Sequence, residues 1–272
     1  MRVSENMKLG NWLWLGMFVS LMTNLSCASK SDDSSDEVDD SGNADVAKME
    51  LARQLLQSNQ TNKAMDLLIP WSRKEPQNKE VQLLLGLTYL AGSYWEPALT
   101  QFQKAYDLSP SPEEKSEILL NQSMVLIVLK KYQQANDKLH LILKSNQLKE
   151  VEKVYNNIGL TFFEQNQCNK AMPWFKKATI ANPQFGPSHY NMGVCATKAR
   201  KFNQAVDYFK EAKQSCYDCL KATTEYLKSI YLAGRKNDAL EELKKYQRLV
   251  SQPESLKELD KLKKEFENSN KK

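Results

Sequence analysis

Glycine and proline are scarce, nine of each in 272 residues. An antiparallel sheet protein of this length needs more tight turns than that supply allows, so helices are expected in place of a barrel or sandwich. Histidine is scarcer still, with only His140 and His189. No HExxH pair, glycine-rich phosphate loop or GxSxG elbow occurs. Metal-assisted hydrolysis, nucleotide chemistry and serine hydrolysis therefore have no motif to rest on. Both histidines read as surface or packing residues. No catalytic residue, metal ligand, cofactor or small-molecule substrate is assigned, and the chain is not expected to be an enzyme.

Long apolar runs are also lacking. The one marked run, Trp12 to Met22, is too short to span a bilayer but has the length of a signal-peptide core. A Met-Lys pair at Met7 offers a second possible start beside Met1.

What is abundant is charge, unevenly placed. Arg2, Lys8 and Glu5 leave residues 1–26 at +1. Residues 27–45 set Lys30 against Asp32, Asp33, Asp36, Glu37, Asp39, Asp40 and Asp45, a net −6. The total is +5, which leaves +10 on residues 46–272. An acidic leash precedes a basic body. Such a body suits nucleic acid, anionic lipid or an acidic protein, or is simply a solvated lysine-rich surface. No aromatic-plus-arginine stripe accompanies it, so nucleic acid is not expected as a partner.

The segment Met7 to Cys27 resembles a bacterial lipoprotein signal. Ser26 fits the small residue that such signals place before the cysteine. The usual leucine three places before it is Asn24 here, with Leu25 one place late. The resemblance implies a signal peptide over 1–26, a covalent lipid on Cys27 and a disordered polar linker over 27–44. Ala28 and Ser29, with no Asp after the cysteine, imply the outer membrane, with the body facing the periplasm. Residues 28–44 would reach at most about 55–60 Å.

The body repeats. Gly86, Tyr89, Ala98, Phe102, Ala105 and Pro110 recur as Gly159, Phe162, Ala171, Phe175, Ala178 and Pro183 at the same offsets. Gly193, Ala205, Phe209 and Ala212 repeat part of the series. This resembles the tetratricopeptide repeat (TPR), a helix–turn–helix unit of about 34 residues. Six units fit, at 45–78, 79–112, 116–149, 152–185, 186–219 and 220–253. The fold class implied is an all-α TPR solenoid. The small residues allow helices to approach closely, the aromatics fill the remaining space, and the prolines end second helices. Residues 254–268 form a capping helix and 269–272 a disordered tail.

Two further expectations rest on the same resemblance. The first helices line a concave face, which in repeats two and three carries Leu83, Leu87, Leu90, Leu120, Asn121, Met124 and Ile127. In repeats four and five it carries Asn156, Asn157, Leu160, Phe163, Tyr190, Asn191 and Val194. An apolar strip dotted with amides suits an amphipathic helix or an extended apolar segment of a partner, unless these side chains pack within the array or are covered by the cap or leash.

The second expectation concerns the cysteines. Behind a signal sequence four remain once Cys27 is lipidated, and four allow three pairings. On the repeat layout, Cys168 falls in the turn inside repeat four and Cys195 late in the next first helix, towards the same edge. Cys216 and Cys219 fall at the opposite edge. The pairs expected are Cys168–Cys195 and Cys216–Cys219.

A lipoprotein signal, a leash and six TPRs together resemble the pilotins of type IV pilus assembly, of PilF/PilW or Tgl type. The resemblance implies a non-enzymatic escort whose partner is an outer-membrane secretin subunit. Another envelope scaffold, serving peptidoglycan enzymes or barrel assembly, has the same outline. A thiol-exchange enzyme using Cys216 and Cys219 is a third possibility.

Overall fold

The computed structural model describes residues 40–145, 149–215 and 220–268. The signal segment, Cys27, most of the leash, the Cys216–Cys219 pair and residues 269–272 lie outside the described residues. Among the described residues every regular element is a helix, thirteen in all. No described helix is long and apolar enough to cross a membrane.

The chain divides into two compact units, one ending at Lys149 and one beginning at Glu150. The first holds α1 (Asp40–Gln57), α2 (Thr61–Lys74), α3 (Lys79–Ala91), α4 (Trp95–Leu108), α5 (Pro112–Val128) and α6 (Tyr132–Ser145). The second holds α7 (Val151–Phe163), α8 (Cys168–Ala181), α9 (Gly186–Lys198), α10 (Phe202–Gln214), α11 (Leu220–Leu232), α12 (Lys236–Leu249) and α13 (Pro253–Asn268). Within each unit every helix packs on the next in sequence. Three antiparallel pairs make the first unit. Three pairs and a cap make the second. The all-α repeat architecture expected from the sequence is the one observed.

α1 starts at Asp40, five residues ahead of the place where the first repeat was laid out and inside the stretch read as leash. Helix growth from a packed turn adds one hydrogen bond per residue fixed, so it can extend into a polar approach.

The turn inside each pair has one recurring geometry. Asn59, Ser93, Lys130, Asn166, Arg200 and Gly234 all take positive φ, between 58° and 85°. Each is the fifteenth residue of its unit. Each is followed by an amide that donates back across the helix end, as Tyr94 N–H does to Tyr89 C=O at 2.8 Å and Lys201 N–H to Ala196 C=O at 2.9 Å. This is the left-handed helix stop, which satisfies carbonyls otherwise left without a donor.

Where helices cross, the packing is small against large. A Cβ built on Gly86 would lie 2.7 Å from the Phe102 ring. On Gly159 it would lie 2.5 Å from Phe175, and on Gly193 2.7 Å from Phe209. The three phenylalanines are fully buried. Ala98, Ala105, Ala171, Ala178, Ala205 and Ala212 are buried beside them. Tyr89 and Phe162 are half-buried, and Pro110 and Pro183 are exposed just past the ends of α4 and α8.

Polar stitches join neighbouring repeats. In the first unit Gln82 is fully buried; its Oε1 accepts from Ser72 Oγ at 2.9 Å and its Nε2 donates to the Pro76 carbonyl at 3.2 Å. α13 closes the second unit by burying Leu259, Leu262 and Phe266 against Leu227, Ile230 and Leu243. The Phe266 ring stacks on Tyr231 at 4.3 Å.

Candidate functional site

In the first unit the first helices of three repeats line a hollow of about 150 Å³. α1 supplies Met49 and Arg53, α3 supplies Lys79, Glu80, Leu83, Leu84 and Leu87, and α5 supplies Glu114, Glu117 and Ile118. The floor is apolar. The rim is ionic: Lys79 Nζ meets Glu114 Oε1 at 2.7 Å, tying repeat two to repeat three. Two rim atoms are buried without a partner, the donor Arg53 Nε and the acceptor Glu114 Oε2. A buried polar atom left unpaired is unfavourable by about 1–3 kcal/mol, so an opening of the rim that exposed these two would let them gain partners.

Of the residues assigned to this face from sequence, Leu83 and Leu87 line the hollow. Leu90, Leu120, Met124 and Ile127 are buried within the unit. Asn121 is buried as well, with its Oδ1 unpaired.

In the second unit Asn156, Asn157, Leu160 and Asn191 are buried, and Phe163, Tyr190 and Val194 half-buried. The amides meet one another inside the protein, with Asn157 Nδ2 left buried and unpaired. Asn156 Oδ1 accepts from Ser188 Oγ at 3.0 Å and from Asn191 Nδ2 at 3.1 Å, while Asn156 Nδ2 reaches Asn157 Oδ1 at 3.4 Å. These asparagines join repeat four to repeat five. Asn156 is therefore occupied within the array and is not held ready for a partner. The half-buried rings carry lysines instead: Lys198 Nζ lies 4.7 Å from the Phe163 centroid and Lys221 Nζ 5.0 Å from that of Tyr190.

Cys168 and Cys195 are disulfide-bonded, with Cα atoms 5.5 Å apart. The pairing is the expected one. Cys168 itself is the first residue of α8, not a turn residue, because the turn before it is complete by Gln167. The bridge fastens α8 to α9 and so fixes repeat four against repeat five. His140 is exposed, with Nδ1 2.8 Å from the Asn136 carbonyl, and His189 sets Nε2 2.9 Å from the Pro183 carbonyl. Among the described residues no group of three His, Cys, Asp or Glu side chains is placed to hold a metal.

Residues 152–185, the fourth repeat, match the tetratricopeptide repeat family. The fold is a tetratricopeptide-repeat array. Solved structures agree over about four-fifths of the chain. Pseudomonas aeruginosa PilF is similar with a TM-score of 0.60 at 18% identity, over 80% of this chain and 97% of its own. PilW, a widely conserved type IV pilus biogenesis factor, is similar with a TM-score of 0.64 at 19% identity, over 78% of this chain and 96% of its own. A TPR protein from Parabacteroides merdae gives 0.61 at 16% identity, over 79% and 82%. At these identities the likeness is one of fold. A TPR array is a scaffold for protein–protein contact, with binding surfaces formed by the stacking of its helices.

Sequence reasoning missed Met49, Arg53, Lys79, Glu114 and the lysines over the aromatic rings. Carrying the same repeat positions into the first and sixth units would have reached Met49, Arg53 and Lys221. Nothing in the sequence marks Asn156 as the hub of a buried network, because the same amide at an exposed position looks identical.

Proposed function

We propose that this TPR protein is a non-enzymatic escort of the bacterial envelope. It is held at the outer membrane by a lipid on Cys27 and binds a segment of a secretin subunit, as a pilotin does. The observation that carries the binding reading is the hollow of the first unit. Its apolar floor takes one partner side chain, and its ionic rim of Lys79 and Glu114 stands beside the place where the partner's backbone would lie. The signal, the acidic leash and six repeats supply the envelope setting, and the fold shared with PilF and PilW supports the choice of partner class.

The test is crosslinking and recovery from cell envelopes with wild type and two separate variants, Leu83→Gln for the first unit and Tyr190→Ser for the second. Recovery of a secretin by wild type and its loss with Leu83→Gln alone is the expected result. Equal recovery by all three would move the site away from the first-helix faces. Enrichment of peptidoglycan hydrolases or barrel-assembly factors in place of a secretin would retire the pilotin reading and leave an envelope scaffold. Palmitate labelling that survives Cys27→Ala would overturn the anchor.

A further inference from the structure

The positive charge of the body is concentrated in the second unit. Residues 150–272 carry 22 Lys and Arg against 15 Asp and Glu, a net +7, whereas residues 46–149 carry 13 against 10, a net +3. Within the second unit one edge holds five of these cations against two carboxylates, a net +3. The turns joining α9 to α10 and α11 to α12 present Lys198, Arg200, Lys201, Arg235 and Lys236, all exposed. The carboxylates at this edge are Glu164, and Asp238, which accepts from Arg235 Nε at 2.8 Å. The described turns at the opposite edge, residues 182–185 and 250–252, carry no charged side chain.

These turns adjoin one another. Lys198 Nζ donates to Asn166 Oδ1 in the turn of repeat four at 3.1 Å. Arg200, Lys201 and Phe202 face Leu232 and Ala233 across a hollow of about 390 Å³. Leu232 is half-exposed, a large apolar side chain set among cations.

We propose that this edge of the second unit rests on an anionic lipid surface. Five cations stand at or beside the tips of short turns. Arg200 and Lys201 face outward, while Arg235 exchanges Asp238, and Lys198 and Lys236 leave the rings of Phe163 and Tyr231, to meet lipid phosphates. Leu232 is long enough to enter the headgroup layer between them. Each cation near an anionic leaflet contributes, and the sum is steeply screened because the Debye length in physiological salt is about 8 Å. Nucleic acid is disfavoured because no exposed aromatic stands here to stack a base. The contact does not depend on acylation of Cys27; it orients the body whether or not an acyl chain brings it to the bilayer.

The experiment is hydrogen exchange read by mass spectrometry on the full chain, bound to or mixed with vesicles. One set contains phosphatidylglycerol with phosphatidylethanolamine, the other phosphatidylcholine alone. Peptides covering residues 196–206 and 230–238 should exchange about tenfold more slowly on the anionic vesicles, from charge terms of this size. Residues 182–188 should be unchanged, and molar salt should remove the protection. The variant Arg200→Glu/Lys201→Glu/Arg235→Glu alters exposed side chains only, and should keep the thermal transition while losing the protection. Leu232→Ser should weaken it and leave the salt dependence in place. Equal exchange on the two vesicle types, or protection that survives the triple charge reversal, overturns the proposal. Protection by polyaspartate but not by anionic vesicles would also overturn it, in favour of an acidic protein partner.

Discussion

Gly159 shows how a single side chain sets the fold at residue scale. A methyl group there would lie 2.5 Å from the Phe175 ring, inside any tolerable contact. Gly159→Ala should destabilise the protein by about 1–3 kcal/mol, the usual penalty for overpacking a core. Adding Phe175→Leu should restore part of the loss, since repeat three already pairs Ser123 with Leu139, both fully buried. Urea titrations of the single and double variants measure both terms. Tyr246 offers a second residue-scale test. Burial, and then the charge of Glu242, push its phenol up to about 12. Lys213 donates to its hydroxyl and lies over the rings of Tyr226 and Tyr246. A phenol whose pKa is raised on folding contributes stability below its unfolded pKa of about 10. That contribution is lost as pH rises through the folded value. Between about pH 10 and pH 12, wild type should therefore lose stability more steeply than Tyr246→Phe, as followed by far-ultraviolet circular dichroism.

The element scale is governed by what joins one helix pair to the next. The Cys168–Cys195 bridge closes a loop with a sequence separation of 27, between α8 and α9. Chain-entropy arguments give such a loop about 3.5 kcal/mol of stabilisation. Cys168→Ser/Cys195→Ser should shift the urea midpoint down by an amount of that size, and reduction of wild type should reproduce the shift. A variant as stable as oxidised wild type would show that packing alone holds this junction. The amide network around Asn156 acts across the same junction. The repeated offsets made the helix pairs legible in the sequence, because close packing demands small residues at fixed places. The junctions were legible only in part. The Cys168–Cys195 pairing followed from the repeat layout. The asparagines resembled a binding strip because periodicity places a residue on a face without revealing whether the neighbouring helix has covered it.

At the scale of the whole molecule, repeats contact mainly their neighbours, so a disturbance at one end should fade along the stack. Phe266→Ala removes a buried ring stacked on Tyr231 and should destabilise the end of the second unit by about 3–5 kcal/mol. Native-state hydrogen exchange should then quicken most in α12 and α11 and least in α7 and α8. Uniform quickening across the unit would mean that it unfolds as one block. Charge is also a property of this scale. The chain total of +5 conceals an acidic approach and a second unit at +7. A partner or surface meets those parts separately, not their sum.

The amino-acid sequence by itself determined the helical class, the number of repeats and the places where helices approach most closely. Each follows from local rules: turn residues too few for sheets, a recurring period, and small residues where a larger one would clash. Tertiary structure alone decided which first-helix residues remain open. It buried Leu87, Leu90, Leu120 and Asn156, left Leu83 half-buried in a hollow beside Arg53 and Glu114, and gathered five cations onto one edge. The reason is that burial depends on neighbours from other repeats. A residue's place in its own repeat sets its direction, but the next repeat decides whether that direction leads into the core or out to solvent.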